Sequence, residues 1–229
     1  MYRLITAVCL LISIMGCSTG SSVAGSGYSM EGDSTVIAES LVSGLQVKLV
    51  RMSRTETDCS SGTSDHIELN GPIGPDSTYI VAKYLDMAQR CKSSSGTTFS
   101  RVVYLNSAGG LVTDGIELGK LFRKEQVSTR LFGNQQCSSS CAFAFLGGFY
   151  RMMQHDSSLM FHAPYKTSSL GQEHCASRNQ ANDLKSYYVE MVGKKIGNTL
   201  FDRTMSYCGS KEGWVINSGA AKAYGIVTD

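Results

Sequence analysis

The chain has 229 residues, enough for one well-filled domain and short for two. Apolar residues make up 42% and charged residues 17%, an ordinary globular balance, and the net charge of +2 is too small to argue for nucleic acid or an acidic substrate. No internal repeat and no Lys/Arg run is present, while three prolines and 24 glycines suit regular elements joined by glycine turns.

Met1-Tyr2-Arg3 opens the chain with a weak positive charge, and Leu4 to Met15 is a largely apolar run. That run is too short to span a bilayer and suits a secretory signal. Ile14-Met15-Gly16-Cys17 resembles the lipobox of bacterial lipoprotein signals, which implies cleavage before Cys17 and a lipid on its sulfur. Ser18 in the next position resembles the outer-membrane sorting choice, so the expected place is the bacterial envelope, in the periplasm and anchored to a membrane through Cys17. An ordinary signal peptide with an incidental cysteine is the competing reading. Residues 1–16 are thus expected to be the leader, the Ser/Gly-rich stretch 17–34 a tether, and 35–229 the folded domain.

The cysteines agree with export. Cys9 leaves with the leader and Cys17 carries the lipid, so six remain: Cys59, Cys91, Cys137, Cys141, Cys175 and Cys208. An even set in an exported protein suggests up to three disulfides, with connectivity unreadable from sequence. The pairing put forward is Cys59–Cys91, Cys137–Cys141 and Cys175–Cys208. Zinc is the alternative, but His66, His155, His162 and His174 lack paired Cys/His spacing, so no metal is expected.

Leu45 to Met52 alternates as a strand, and His66 to Leu69 reads as a short strand closed by Asn70-Gly71-Pro72. Asp76 to Arg90 reads as a helix, capped by Asp76 or Ser77, with Ile80, Val81, Tyr84, Met87 and Ala88 on one face. Val102 to Leu105 is a buried-strand candidate, followed at once by Asn106-Ser107-Ala108-Gly109-Gly110. Thr113 to Lys124 is a second helix, with Ile116, Leu118, Leu121 and Phe122 inward, and Val127 to Phe132 is the next strand. Ser157 to Phe161 makes a further strand running into His162-Ala163-Pro164, and Asn182 to about Lys195 a helix. Trp214 to Ile216 and Ala220 to Val227 finish the domain. Alternating strands and helices predict an α/β fold with a mostly parallel sheet, whose working groups gather beyond the strands' carboxyl ends.

Between the Val127–Phe132 strand and the Ser157 strand lies NQQCSSSCAFAFLGG, Asn134 to Gly148. Three serines, Ser138, Ser139 and Ser140, stand between Cys137 and Cys141 and precede a short apolar helix, Cys141 to Leu146. A hydroxyl at such a helix start lies among unpaired backbone N–H groups, the donors that an acyl-transfer oxyanion needs. The bland alternative is three serines capping a core helix. A bridge between Cys137 and Cys141 would fix the loop; a free Cys141 at the helix start would be an acidic thiol.

IELNGPIG (67–74), LNSAGGLV (105–112), CSSSCAFAFLGG (137–148), MFHAP (160–164) and YGIV (224–227) resemble, in order, the motifs of the Clp-type serine protease family. The resemblance spans about residues 66–227. It implies the ClpP/crotonase fold of stacked β-α-β units, and the C-x-S-x-C element resembles exported relatives. Carried onto this chain, the nucleophile falls on Ser139, nine positions before Gly148, and the general base on His162. The oxyanion donors fall on the N–H groups of Gly110 and Ser140. Ala108 stands where the family motif usually has proline. The family's aspartate position lands on Gly213, which leaves the neighbouring Glu212 as the candidate acid; Asp183 and Asp202 are poorer ones.

The resemblance therefore implies a lipid-anchored serine peptidase working through an acyl-enzyme on peptides or unfolded protein, with no cofactor. Outside the cytoplasm there is no ATP supply, so no cytosolic ATPase partner is expected. Relatives form rings through a strand-helix handle after the histidine; residues 166–208 could be such a handle, which predicts a homo-oligomer. The alternative is a ClpP-fold binding or assembly module with an idle Ser/His pair. Crotonase-type acyl-CoA chemistry is a third reading, ill suited to an exported chain.

Overall fold

In the computed structural model, residues 33–54 and 59–228 are described. The leader, Cys17 and nearly all of the expected tether lie outside the described residues.

The backbone begins with a hairpin, β1 (Ser34–Val42) and β2 (Leu45–Ser53), closed by Ser43 and Gly44, both at positive φ as a tight hairpin turn requires. β2 alternates as its sequence predicts: Leu45, Val47 and Leu49 are buried. β3 (Thr63–Asn70) pairs antiparallel with β2 and begins three residues before the strand read from sequence. Asp65 extends it by accepting a bidentate pair from Arg51, at 2.8 and 2.9 Å.

α1 (Ser77–Met87) follows, and neither candidate caps it as expected. Asp76 sits at the N-cap in a left-handed conformation without a side-chain cap bond, and the Ser77 hydroxyl turns back to accept from Gly74 N–H at 3.0 Å. Leu85 takes the inward place expected of Met87, which is exposed. β4 (Val102–Asn106) then runs parallel to β3, and α2 (Val112–Lys124) returns the chain to β5 (Ser128–Leu131), parallel to β4.

After β5 come β6 (Gln136–Ser138), the wholly buried α3 (Ser140–Leu146) and β7 (Tyr150–Met153), which is parallel to β5. The large sheet thus has the order β1-β2-β3-β4-β5-β7. β8 (Ser158–Phe161) leads to a small hairpin, β9 (Tyr165–Thr167) with β10 (Glu173–Cys175). α4 (Asn182–Val192) and α5 (Lys194–Thr204) are separated at Gly193, at φ 84°, where the sequence reading had one helix. β11 (Trp214–Asn217) and α6 (Ser218–Ala223) close the chain. A second sheet, in the order β11-β8-β6, stands beside the first. The fold is mixed α/β with a mostly parallel central sheet.

α3 is the centre of the core. Gly119 of α2 and Gly147 after α3 cross so closely that a Cβ on Gly147 would stand 2.3 Å from the Gly119 Cα. Tyr187 of α4 packs on the same crossing and donates its hydroxyl to Phe143 O at 2.7 Å, and burial pushes that phenol far above its usual pKa. Among the described residues no helix is long and apolar enough to cross a membrane.

Candidate functional site

Residues 136–162 carry the site because β6 and β8 are parallel neighbours. Ser138 faces Met160 in register, and the Ser139 N–H donates to Met160 O at 2.8 Å. One residue past β6 the chain turns into α3, and one residue past β8 stands His162. Parallel strands therefore release Ser139 and His162 at the same sheet edge. Ser139 makes its turn at φ 55°, ψ −125°, a backbone state that costs a non-glycine residue about 1–3 kcal/mol and persists only where its surroundings impose it. The Cys137–Cys141 disulfide, with Cα atoms 5.2 Å apart, straddles the turn.

The glycine loop after β4 forms the facing wall. Ser107 N–H donates to Gln136 O and Ser138 N–H to Ser107 O, so the loop continues the second sheet. Ile73 N–H reaches Gly109 O and Leu111 N–H reaches Ile73 O, both at 2.9 Å, which locks Gly110 between them. A Cβ on Gly110 would lie 1.9 Å from Ile73 O, so only glycine fits. Among the described residues, the amides of Gly110 and Ser140 donate no hydrogen bond.

These pieces enclose a cavity of about 380 Å³ lined by Gly110, Ser139, Met160, His162, Tyr165 and Ser210, among others. Of the three serines, only Ser139 opens into it; the Ser140 hydroxyl is buried without a partner. Ser139 is 8% exposed and His162 4% exposed. The His162 Nδ1 lies 3.0 Å from Ala163 O, so Nδ1–H is the donor and the Nε2 lone pair is left free. No hydrogen bond joins Ser139 to His162. Glu212 does not join them either: it is exposed, lies off the cavity and makes no bond with His162. The family count placed it one residue from a position that here is Gly213, packed against Met160.

The sequence reading missed Glu173 and Ser210. Ser210 lines the cavity, and its N–H donates to Glu173 Oε2 at 3.0 Å. Bonds from Ser210, first from its hydroxyl and then from its amide, hold the Glu173 carboxyl below its usual range, with Lys211 and His162 adding to the effect. The only sequence signal was the proximity of Glu173 to Cys175. Those cysteines do carry structure: Cys59–Cys91, Cys137–Cys141 and Cys175–Cys208 are bonded, with Cα separations of 5.2, 5.2 and 5.8 Å. Among the described residues, no group of three or more His, Cys, Asp or Glu could hold a metal ion.

A larger cavity, about 700 Å³, lies against the face of the large sheet that carries His66, Tyr104 and Arg130. Its one histidine, His66, is engaged with Glu68 at 3.2 Å, so its size does not make it the reactive site.

No family model matches the chain, and no curated protein matches it. Solved structures do. A serine-to-alanine mutant of the 1510-N membrane-bound stomatin-specific protease is similar at a TM-score of 0.56 and 14% identity, over 70% of this chain and 75% of that one. A lysine-to-alanine mutant of the same protease, in complex with a substrate peptide, gives 0.56 and 14% over 70% and 71%. An asparagine-to-aspartate mutant of ClpP1 from Listeria monocytogenes gives 0.48 and 18% over 70% and 86%. At such identities the likeness is one of fold, and this chain shares the fold of the stomatin-specific protease.

Proposed function

We propose that the chain is a serine peptidase acting on short or unfolded peptides in the cell envelope, anchored through a lipid on Cys17 and independent of an ATPase. The carrying observation is that Ser139, in its strained turn, and His162, with a free Nε2, share one cavity with the unengaged Gly110 amide. A serine hydroxyl becomes nucleophilic at neutral pH only with a base in reach. On this reading Ser139 Oγ attacks the substrate carbonyl while His162 Nε2 takes its proton. The oxyanion rests on the Gly110 and Ser140 N–H groups. His162 then protonates the leaving amine as the C–N bond breaks, and water releases the acyl group by the same steps in reverse. The Ala163 carbonyl orients the imidazole from Nδ1, the place a carboxylate takes in a Ser-His-Asp triad. The neighbour that holds a substrate peptide supports peptides as the substrate class.

A binding or assembly module is the second reading, and the missing Ser139–His162 hydrogen bond favours it. Fluorophosphonate labelling of the full chain in detergent separates the two. The peptidase labels, and Ser139→Ala and His162→Ala each abolish labelling while circular dichroism stays native. Folded wild-type chain that takes no label points to the module.

A further inference from the structure

Glu212 does not reach the imidazole, yet one carboxylate stands against the cavity wall. Glu173 lies on β10, and the Ser210 N–H holds its Oε2 at 3.0 Å. The loop is shaped around that carboxylate. Gly209 has φ 98°, and a Cβ there would come within 2.3 Å of Glu173 Oε2. Four links tie this loop and β10 to the residues that follow His162. Ala163 N–H donates to Tyr207 O at 2.9 Å, and Ala163 forms an isolated bridge with Cys208. The Cys175–Cys208 disulfide then ties β10 to the loop, and Ala176 N–H donates to Pro164 O at 2.7 Å. Glu173 is therefore clamped from both sides to the segment that contains His162, with Ser210 between it and the cavity.

We propose that Glu173, held by Ser210, is the acidic positioning residue of this site, supplying the negative charge that steadies the His162 imidazolium formed as Ser139 gives up its proton. The inference rests on the peptidase reading above. It replaces Glu212 with an acid from a different part of the chain. Its division of labour is also different: the Ala163 carbonyl sets the ring's orientation, and Glu173 supplies the charge. Because Glu173 is exposed, the carboxylate stays ionised near neutral pH and acts at a distance through a partly aqueous path. Such an effect is weaker than that of a buried acid, and salt screens it. Other charges near this wall are Lys211 beside Glu173 and, on β9 and β10, Lys166 and His174, which pair across the hairpin.

The test is the fluorophosphonate labelling rate of the full chain in detergent, for wild type, Glu173→Gln and Glu173→Asp. Rates are read at about 0.01 M and about 1 M salt, between which the Debye length falls from about 30 Å to about 3 Å. Glutamine keeps an acceptor for Ser210 N–H and removes only the charge. Glu173→Gln is expected to slow labelling at low salt by roughly tenfold, far short of the ~10⁴ that a buried orienting acid can be worth. High salt brings wild type down towards Glu173→Gln, Glu173→Asp recovers rate, and peptide turnover falls in kcat with KM unchanged. Equal rates for wild type and Glu173→Gln at low salt overturn the proposal and leave the peptidase reading intact. A slowed but salt-independent Glu173→Gln also overturns it, because that assigns Glu173 a structural role only. Wild type that is folded and never labels overturns the peptidase reading, and this inference falls with it.

Discussion

A Cβ built on Gly110 would stand 1.9 Å from the Ile73 carbonyl oxygen, and its φ of 152° is one that side-chain-bearing residues rarely adopt. Gly110→Ala must therefore shift the loop that faces Ser139. The expected cost is about 1–3 kcal/mol, read as a melting temperature lowered by several degrees, with fluorophosphonate labelling lost even below the melt. Retained labelling with a normal melt would mean that the loop does not press on the site. At this scale the sequence was unevenly legible. Ser139 could be picked from three adjacent serines because the helix between Cys141 and Gly148 is rigid, and a count along a rigid element keeps its register. Glu212 was reached by counting across a segment with a hairpin, a disulfide loop and a glycine break, where no register survives. Glu173 carries no motif; what ties its strand to the loop behind the cavity is a disulfide between cysteines 33 residues apart, which periodicity cannot show.

At the scale of elements, the hairpin β9–β10 is too small to hold itself together: two three-residue strands bury almost nothing. What fixes it is the Cys175–Cys208 bond, which closes a loop of separation 33. Closing such a loop is worth roughly 3–4 kcal/mol in the chain-entropy account. The double variant Cys175→Ser/Cys208→Ser is expected to unfold at lower urea by about that free energy, and to label more slowly because Thr167 and Tyr165 leave the cavity wall. Unchanged labelling would place the hairpin outside the working site. The larger elements were readable because their signals are local. The 3.6-residue period of α2 and the apolar run of β4 both survive in the structure. β1 is not legible as a strand because none of its nine residues is buried: six are exposed and three are partly so, and the pattern that announces a half-buried strand is missing. The break at Gly193 escaped because a single glycine is compatible with a continuous helix until tertiary packing decides.

At the scale of the whole molecule, that same β1 strand raises the question of what covers it. β1 is the edge of the large sheet, nine residues long, and among the described residues no strand pairs with its outer side. Its exposed residues include Val36, Ile37 and Leu41, the last 75% exposed. A long edge carrying apolar side chains and few charges is the kind of surface that soluble monomers blunt, because its free N–H and C=O groups template pairing with another chain. Glu39 is the sole charge on the strand. A homo-oligomer, already expected from the family resemblance, would use this edge economically, since a second copy presents the same groups. Leu41→Lys with Val36→Lys should then lower the mass seen by light scattering on size exclusion, with circular dichroism unchanged because neither side chain is part of the core. A wild-type mass equal to one chain plus its detergent would remove the oligomer from the picture. An oligomer that survives both lysines would move its interface away from β1.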